Sequence, residues 1–319
     1  MRATLSTTIE PAAAVPSVRP IGATPRMAIL AMVIACTIWG TSFVFGKIAL
    51  RELSVSHVIL LRFVLASVAL LPVLIKCRPQ IPVRELPLLF LTGFVAVPVS
   101  FLAQFHGLAL TTVTRASLIV GAAPPLMALA GMIFFGERPS LRIWAAVAVS
   151  LTGIVAISGF PGAGGSWIGD GLVFLSIVTS VAWVIMVKRI SQRLTSLVAT
   201  GTTIVFGTLT LIPFTIAGDG FPRLDLSPDV WLSVLVLGAL CTALAFVLWN
   251  WGLERYPASR AGVFLNIEPA VGALLGISLW GDSFGAGTAL GGALIIGAAL
   301  LVSDAGSAES TTPDPIRAS

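Results

Sequence analysis

Apolar residues occur along this chain in ten long stretches that short polar segments separate. The stretches are 19 to 24 residues long and cover residues 27–46, 57–75, 86–109, 116–135, 141–159, 168–187, 196–217, 230–251, 261–280 and 285–303. A helix of about 20 residues crosses the roughly 30 Å hydrocarbon layer of a bilayer. The pattern therefore predicts an all-α integral membrane protein with ten transmembrane helices.

The two ends of the chain have a different composition. Residues 1–26 contain four prolines with several Ser and Thr, and residues 304–319 are rich in Ser, Asp and small residues. Such segments contain too little apolar surface to support a packed core. We expect both to be disordered tails that do not carry the activity.

The basic residues predict the orientation in the membrane. With the N-terminus placed in the cytoplasm, 14 Lys and Arg fall on the inner side and 4 on the outer side, while Arg62 lies within a span. Positive residues in short loops stay inside, so both termini are expected in the cytoplasm and the chain in the inner (cytoplasmic) membrane. The basic residues are scattered and form no patch, which argues against nucleic-acid binding.

An internal repeat relates the two halves of the chain. Residues 101–158 align without gaps on residues 246–303, an offset of 145, with 12 identities in 58 positions. The paired residues include Gly107/Gly252, Arg115/Arg260, Pro124/Pro269, Gly131/Gly276 and Gly136/Gly281. A unit of five helices reverses its orientation when it is duplicated. We therefore predict inverted repeats over residues 27–160 and 161–303, an arrangement typical of secondary transporters.

At these residues the sequence resembles the EamA branch of the drug/metabolite transporter superfamily. The resemblance rests on IWGTSFVFGKIAL in the first span, LLRFVLASVALLP in the second, and PPLMALAGMIFFGERPS and EPAVGALLGISLWGDSFG in the fourth and ninth. It departs from the family pattern at GDSFG, where Asp282 stands in place of a glutamate. The resemblance implies a central cavity, alternating access, and export of amino acids or other small metabolites.

Glu268 is the most specific candidate for a functional residue. It lies within about 3 Å of the centre of the ninth span at 1.5 Å per residue, and an acid at that depth usually faces a cavity or a partner. We expect either a proton-coupling carboxylate, a partner for a substrate ammonium, or a protonated side chain that hydrogen-bonds between helices. Its equivalent in the first half is Ala123, so only one half carries the acid.

Two prolines at equivalent positions predict interruptions of the fourth and ninth spans. Pro124 and Pro269 each remove a helix hydrogen bond and free a carbonyl one turn back. An interrupted helix near the midplane often lines a transport site, although a simple packing kink is an equal alternative. Arg62 is expected either to extend to the interface or to form an ion pair at an outer gate, with Glu52 the nearest acid in sequence.

Several polar and aromatic residues are candidates for the lining of the cavity. Amides in lipid need partners, and aromatic walls with a few polar groups suit a metabolite with an apolar part. The candidates are Asn250, Asn266, Gln104, Trp39, Ser42 and Trp183. Ordinary helix packing and interfacial anchoring are the alternatives for the tryptophans.

Glycines spaced four apart predict close helix approach in two further segments. These are GALLG at residues 272–276 and GTALGG at residues 287–292. The contact is expected within the chain or between two copies in a homodimer.

The remaining patterns bear on the class of function. Cys36, Cys77 and Cys241 have no metal-ligand spacing, and no phosphate-binding loop or HExxH motif occurs, so we expect no cofactor, no metal and no catalytic site. A small-molecule carrier in the lipid bilayer is the favoured reading, with an integral-membrane enzyme or a channel as the alternatives.

Overall fold

The regular structure of the chain is entirely helical in the residues that the computed structural model describes, which are 25–77, 81–135, 141–159, 165–190, 194–253, 255 and 262–309. The α-helices are α1 (Pro25–Ala49), α2 (Val55–Cys77), α3 (Leu86–Phe94), α4 (Leu102–Leu110), α5 (Val113–Val120), α6 (Ala123–Phe135), α7 (Leu141–Gly159), α8 (Trp167–Ile190), α9 (Ser196–Asp219), α10 (Pro228–Leu235), α11 (Ala245–Leu253), α12 (Ile267–Trp280) and α13 (Ala286–Glu309). Most of the two predicted tails, the turn around Glu137 and the segment around Arg260 lie outside these residues.

Seven helical segments are long and apolar enough to cross a bilayer. They cover Arg26–Ala49, Val55–Cys77, Val83–Leu110, Val113–Ala130, Trp167–Val187, Leu197–Asp219 and Pro228–Gly252. The other three predicted spans coincide with shorter apolar helices at Trp144–Ile157, Phe264–Trp280 and Ala286–Leu301. The architecture is that of a multi-pass membrane protein, and the count of ten spans stays a prediction.

Two of the long segments contain a widened π-helical stretch in their middle. Val95–Phe101 joins α3 to α4, and Val236–Leu244 joins α10 to α11. In each stretch a hydroxyl donates to the carbonyl five residues earlier: Ser100 to Val95 at 2.8 Å, and Thr242 to Leu237 at 2.9 Å. Such bulges occur often at functional sites because they turn backbone and side-chain groups away from the regular helix ladder.

The two prolines stand in the first turn of a helix instead of inside one. Pro124 is the second residue of α6, which follows a break after α5, and Pro269 is the third residue of α12, which follows a 3₁₀ turn at Gly262–Asn266. Proline is favoured in a first turn, where its missing N–H has no helical partner to lose. The interruptions are therefore present at the expected places, but the expected loss of hydrogen bonds within continuous helices is wrong.

These two interruptions lie against each other where α5 and α12 cross. A Cβ placed on Gly121 would lie 3.3 Å from Cγ of Pro269, and one on Gly272 would lie 2.4 Å from Cβ of Ser117. Further along, a Cβ on Gly276 would lie 2.4 Å from Oγ1 of Thr114. The glycines of the GALLG segment thus allow close antiparallel packing within the chain, as their spacing predicts.

A second pair of close contacts repeats at the offset of 145. Gly93 packs on Gly207, where an added Cβ would lie 2.6 Å from the Gly207 nitrogen, and Gly238 packs on the Arg62 carbonyl, where it would lie 2.8 Å from the oxygen. Gly238 follows Gly93 by 145 residues, and Gly207 follows Arg62 by the same number. Equivalent positions of the two halves therefore make equivalent contacts.

Candidate functional site

Arg62 is buried on α2, with 3% of its surface exposed. Its Nε donates to Oγ1 of Thr242 at 2.8 Å. The guanidinium lies over the ring of Phe101 at 4.7 Å, with Phe105 at 5.5 Å and Phe63 at 5.6 Å. Because these rings and the hydroxyl hold the cation inside the helix packing, the interpretation that Arg62 extends to the membrane interface is wrong.

The π-helical stretch at Val236–Leu244 receives side chains from two helices. Thr242 donates its own proton to the Leu237 carbonyl, which leaves its oxygen to accept from Arg62. One residue earlier, the Cys241 carbonyl accepts from Nε1 of Trp39 on α1 at 3.0 Å. The bulge therefore orients both the buried arginine and the tryptophan.

Four rings from three helices form an aromatic cluster, which consists of Trp39, Trp183, Phe246 and Trp249. The centre of the Phe246 ring lies 5.4 Å from that of Trp39 and 5.7 Å from that of Trp183, both in edge-to-face arrangements. Trp249 lies 5.5 Å from Trp39. The structure thus brings together two tryptophans that the sequence predicts for the cavity and that are more than 140 residues apart.

Trp183 has a further property within the aromatic cluster. Its side chain is buried, and among the described residues its Nε1 has no hydrogen-bond acceptor. A buried indole N–H usually finds a partner, since an unsatisfied donor costs free energy. It is a donor that a bound molecule would satisfy.

Glu268 lies in the first turn of α12, beside the middle of α1. A Cβ placed on Gly40 would lie 2.8 Å from the Glu268 carbonyl oxygen, which shows how closely the two helices pack. The side chain is half-buried, and in the described part of the chain its carboxyl makes no hydrogen bond and no ion pair. In the described residues, the expectation that it hydrogen-bonds between helices is therefore wrong.

Contacts along the middle of α1 connect the surroundings of the two ionisable groups of this region. Arg62 bonds to Thr242, whose neighbour Cys241 accepts from Trp39 on α1, and the next residue of α1, Gly40, packs against the Glu268 backbone. Arg62 belongs to the first half of the chain and Glu268 to the second, so this arrangement of charges depends on both halves.

The other predicted lining residues differ in their surroundings. Asn250 is buried on α11, and its amide donates to the Phe246 carbonyl one turn back at 2.8 Å. Asn266 directly precedes α12 and is half-buried, and Ser42 is half-buried on α1, one turn from Trp39. Gln104 is half-buried on α4.

Glu52 does not pair with Arg62 but belongs to the loops at the end of α1. It accepts hydrogen bonds from the amide and hydroxyl of Ser227, and Arg223 approaches to 3.7 Å. The hydrogen bonds from Ser227 hold the pKa of Glu52 below its ordinary value. The outer-gate ion pair proposed for Arg62 and Glu52 is therefore wrong.

Comparison with known proteins now identifies the family. A model of the EamA-like transporter family matches residues 26–159 and matches again over residues 167–304. The chain belongs to the EamA-like transporter family. It is therefore a multi-pass membrane transporter, as the resemblance in the sequence implies, and the two matched segments are close to the two predicted repeats.

Individual relatives of this EamA-like chain are transporters by name. The uncharacterized transporter YetK of Bacillus subtilis is 26% identical over 260 residues, 78% of each chain. An uncharacterized transporter of Archaeoglobus fulgidus is 27% identical over 267 residues, 84% of this chain and 95% of the relative. A probable terminal-alkyne amino-acid exporter of Streptantibioticus cattleyicolor is 25% identical over 280 residues, 86% and 93% of the two chains.

A solved crystal structure has the same fold as this EamA-like chain. It covers 90% of this chain and 100% of its own, with a TM-score of 0.63 and 18% sequence identity. At that identity the likeness shows the shared fold alone.

Sequence reasoning missed a buried ion pair of the EamA-like fold. Arg115 on α5 pairs with Asp170 on α8, and the hydroxyl of Thr111 donates to the same carboxylate at 2.6 Å. The two charged side chains are 4% and 2% exposed. Asp170 lies inside a predicted span, and an acid at such a position was the signal that this pair exists.

Asp282 supplies a second contact that its charge alone does not reveal. Gly281 ends α12 in a left-handed conformation, at φ 64°, which directs the chain back towards α5. The Asp282 carboxylate then accepts from the amide of Thr114 at 2.8 Å. The GDSFG turn, where the sequence departs from the family pattern, thus caps the N-terminus of a helix in the other half.

Proposed function

We propose that this protein is a secondary transporter that exports amino acids or related small metabolites by alternating access. The observation that carries the proposal is that Trp39 and Gly40 on α1 connect the aromatic cluster, the π-helical stretch that binds Arg62 and the first turn of α12 with Glu268, between helices of the two family-matched segments. Transporter sites lie between such halves, and apolar walls with a few polar groups suit a small metabolite. The name of the Streptantibioticus relative supports amino-acid export.

The proposed architecture has ten spans in two inverted five-helix repeats, with both termini in the cytoplasm. Seven long helical segments and three shorter apolar helices support the ten spans, and the two matched segments support the duplication. The excess of Lys and Arg on the inner side supports the orientation and the cytoplasmic membrane as its location. The equivalent contacts of Gly93 and Gly238 support a common origin of the halves.

We further propose that Glu268 couples transport to protons. A carboxyl that has no fixed hydrogen-bond partner and is partly accessible can exchange a proton when the site opens to one side of the membrane. A proton and a substrate ammonium would compete for the same carboxylate, and this competition is the simplest way for proton entry to drive substrate exit. Pro269 follows Glu268 directly at the start of α12, and the interruption before it is the place where we expect α12 to change its angle; Pro124 is the equivalent place for α6.

Counterflow in proteoliposomes tests the carrier proposal. Vesicles are loaded with unlabelled apolar amino acids or with a mixed panel of small metabolites, and uptake of the matching radiolabelled compound is followed. A carrier accelerates uptake when the compound is present inside, because the site returns to the outer side loaded with unlabelled compound. The slower return of the empty site is then not needed. Uptake that is fast and independent of the internal compound would instead indicate a channel.

The coupling proposal is tested with Glu268→Gln, which preserves shape and removes the titratable group. We expect counterflow to persist while a pH gradient no longer drives net efflux. Glu85→Gln is the matched control, since Glu85 lies in the 3₁₀ turn before α3, away from the site. Proton-driven efflux that survives Glu268→Gln at wild-type rate would exclude this residue as the coupling group.

A further inference from the structure

We propose that Arg62 and Glu268 together form a receptor for a zwitterion, in which Arg62 binds the carboxylate of an amino acid and Glu268 binds its ammonium group. This inference rests on the proposed transport function and names the substrate class of that site. The sequence alone points only to Glu268, so the new assignment is the role of Arg62 and its pairing with Glu268 around one molecule.

The hydrogen bonding of Arg62 leaves one of its donors available for a carboxylate. Nε is occupied by Thr242, whereas Nη1 is buried and, among the described residues, has no hydrogen-bond partner. An unsatisfied donor on a buried cation carries a desolvation cost that a bound anion removes. Guanidinium groups bind carboxylates with high geometric specificity. The side chain is held by Phe101 on one face, so it is oriented before any ligand arrives.

Each of the two charges occurs in one half of the chain only. The position equivalent to Arg62 in the second half is Gly207, and the position equivalent to Glu268 in the first half is Ala123. At Gly207 the equivalent helix contact forms without a charge, as the packing of Gly93 on Gly207 shows. Each charge is therefore present in one half and absent from the other, in a region where charges are costly. A ligand that binds both groups best explains why they are there.

The charge balance of the site favours a zwitterion over a simple amine or acid. Arg62 and Glu268 carry opposite charges, and the contacts of Trp39 and Gly40 place both in the same region of the helix packing. A zwitterion adds one charge of each sign, so each group gains a partner while the net charge in the low-dielectric interior stays the same. An amine or a carboxylic acid would leave one of the two protein charges without a partner, which is unfavourable inside a membrane protein.

The surrounding rings indicate the side chain that the substrate carries. Trp39 is joined to the same π-helical stretch as Arg62, through the carbonyl next to Thr242. The aromatic cluster therefore lies beside the proposed carboxylate site. An apolar amino acid would place its side chain against these rings while its charged end reaches Arg62 and Glu268.

The test compares two amino acids with their decarboxylated and deaminated analogues in counterflow. The probes are radiolabelled L-leucine and L-phenylalanine, and the competitors are isoamylamine and phenethylamine, which lack the carboxylate, and isocaproate and phenylpropionate, which lack the ammonium. In the wild type we expect each analogue to compete about 10- to 100-fold more weakly than its parent, the loss that follows from one charged hydrogen-bonded contact. An analogue that competes as well as its parent would overturn the proposal.

Substitutions then assign each contact. Arg62→Gln is expected to abolish the preference for the amino acid over the amine, while the preference over the carboxylic acid remains. Glu268→Gln is expected to abolish the preference over the carboxylic acid, while the preference over the amine remains. Arg223→Gln and Glu85→Gln, at positions outside the site, serve as matched controls with unchanged preferences. If the preference over the amine persists in Arg62→Gln, Arg62 does not bind the carboxylate.

Two further outcomes separate this inference from the proposed function. Counterflow of other metabolites without counterflow of either amino acid would overturn the zwitterion receptor and leave a transporter, whereas no counterflow with any compound would overturn both. If Arg62→Gln does not survive extraction in detergent, Arg62→Lys replaces it. Lysine keeps the charge and loses the planar fork, so we expect a preference over the amine that is reduced about tenfold, and an unchanged preference would contradict the proposal.

Discussion

Gly40→Ala tests the close contact that places Glu268 beside α1. A Cβ at position 40 would lie 2.7 Å from Cβ of Val271 and 2.8 Å from the carbonyl oxygen of Glu268. Neither atom is the end of a flexible side chain, so α1 and α12 must separate to admit the methyl group. Overpacking of this kind costs about 1–3 kcal/mol of unfolding free energy.

Gly297→Ala on α13 is the matched control for this substitution. A Cβ there meets nothing within 4 Å, so the variant keeps only the higher helix propensity of alanine, worth up to about 1 kcal/mol. Both variants gain that propensity, and the difference between them isolates the contact at Gly40. We therefore expect Gly40→Ala to be less stable than Gly297→Ala by about 1–3 kcal/mol.

The assay is the free energy of unfolding in mixed detergent micelles, followed by counterflow at equal amounts of reconstituted protein. Gly40→Ala should also lower the transport rate, because the separation moves the first turn of α12 and the carboxyl it carries. Equal stability of the two variants would show that α1 and α12 do not pack as closely as described. Lower stability with wild-type transport would mean that the position of Glu268 is not critical.

Three other substitutions test single contacts. Thr242→Val removes the acceptor of Arg62 and should cost about 1.5–3 kcal/mol of unfolding free energy, whereas Thr242→Ser should stay close to wild type. Asp170→Asn removes the buried carboxylate that pairs with Arg115 and should cost about 3–5 kcal/mol in the same assay. The pKa of Glu52 is lowered on folding, so its contribution is present above the ordinary value near 4.5 and is lost as the pH falls below it. A thermal-unfolding series in pH should therefore show a smaller acid-induced decrease for Glu52→Gln than for the wild type.

Hydropathy predicts the helices of this protein well because each must satisfy its own backbone in lipid. Each of the ten predicted segments coincides with a helical segment, although three of the helices are shorter than a full span. The pair Pro124 and Pro269 likewise predicts where the interruptions fall. The sequence does not predict the local structure at these prolines, because a proline that starts a helix and a proline that kinks a continuous helix occur in the same sequence pattern.

The site itself could be predicted only in part. Glu268 is visible as an acid in an apolar segment, and Trp39 and Trp183 as aromatic residues in spans that the family resemblance places at the cavity. The sequence does not predict the contacts of Arg62, because its partner Thr242 is 180 residues away and the short distance to the helix end is typical of an interfacial side chain. Hydrophobic periodicity carries no information about which helices are neighbours, so the contacts of an arginine follow only from the fold.

The two matched segments share helix contacts but differ in the residues that we propose for the site. A repeat provides two equivalent sets of helix contacts, which Gly93 and Gly238 show directly, and the shared residues Pro124 and Pro269 preserve the interruptions in both halves. Arg62 and Glu268 break that equivalence, because Gly207 and Ala123 stand at the matching positions. A lone charge in either half would be costly in the membrane, and two opposite charges in one region reduce that cost. The zwitterion proposal extends this argument, because a molecule that carries both charges gives each of the two protein groups a partner.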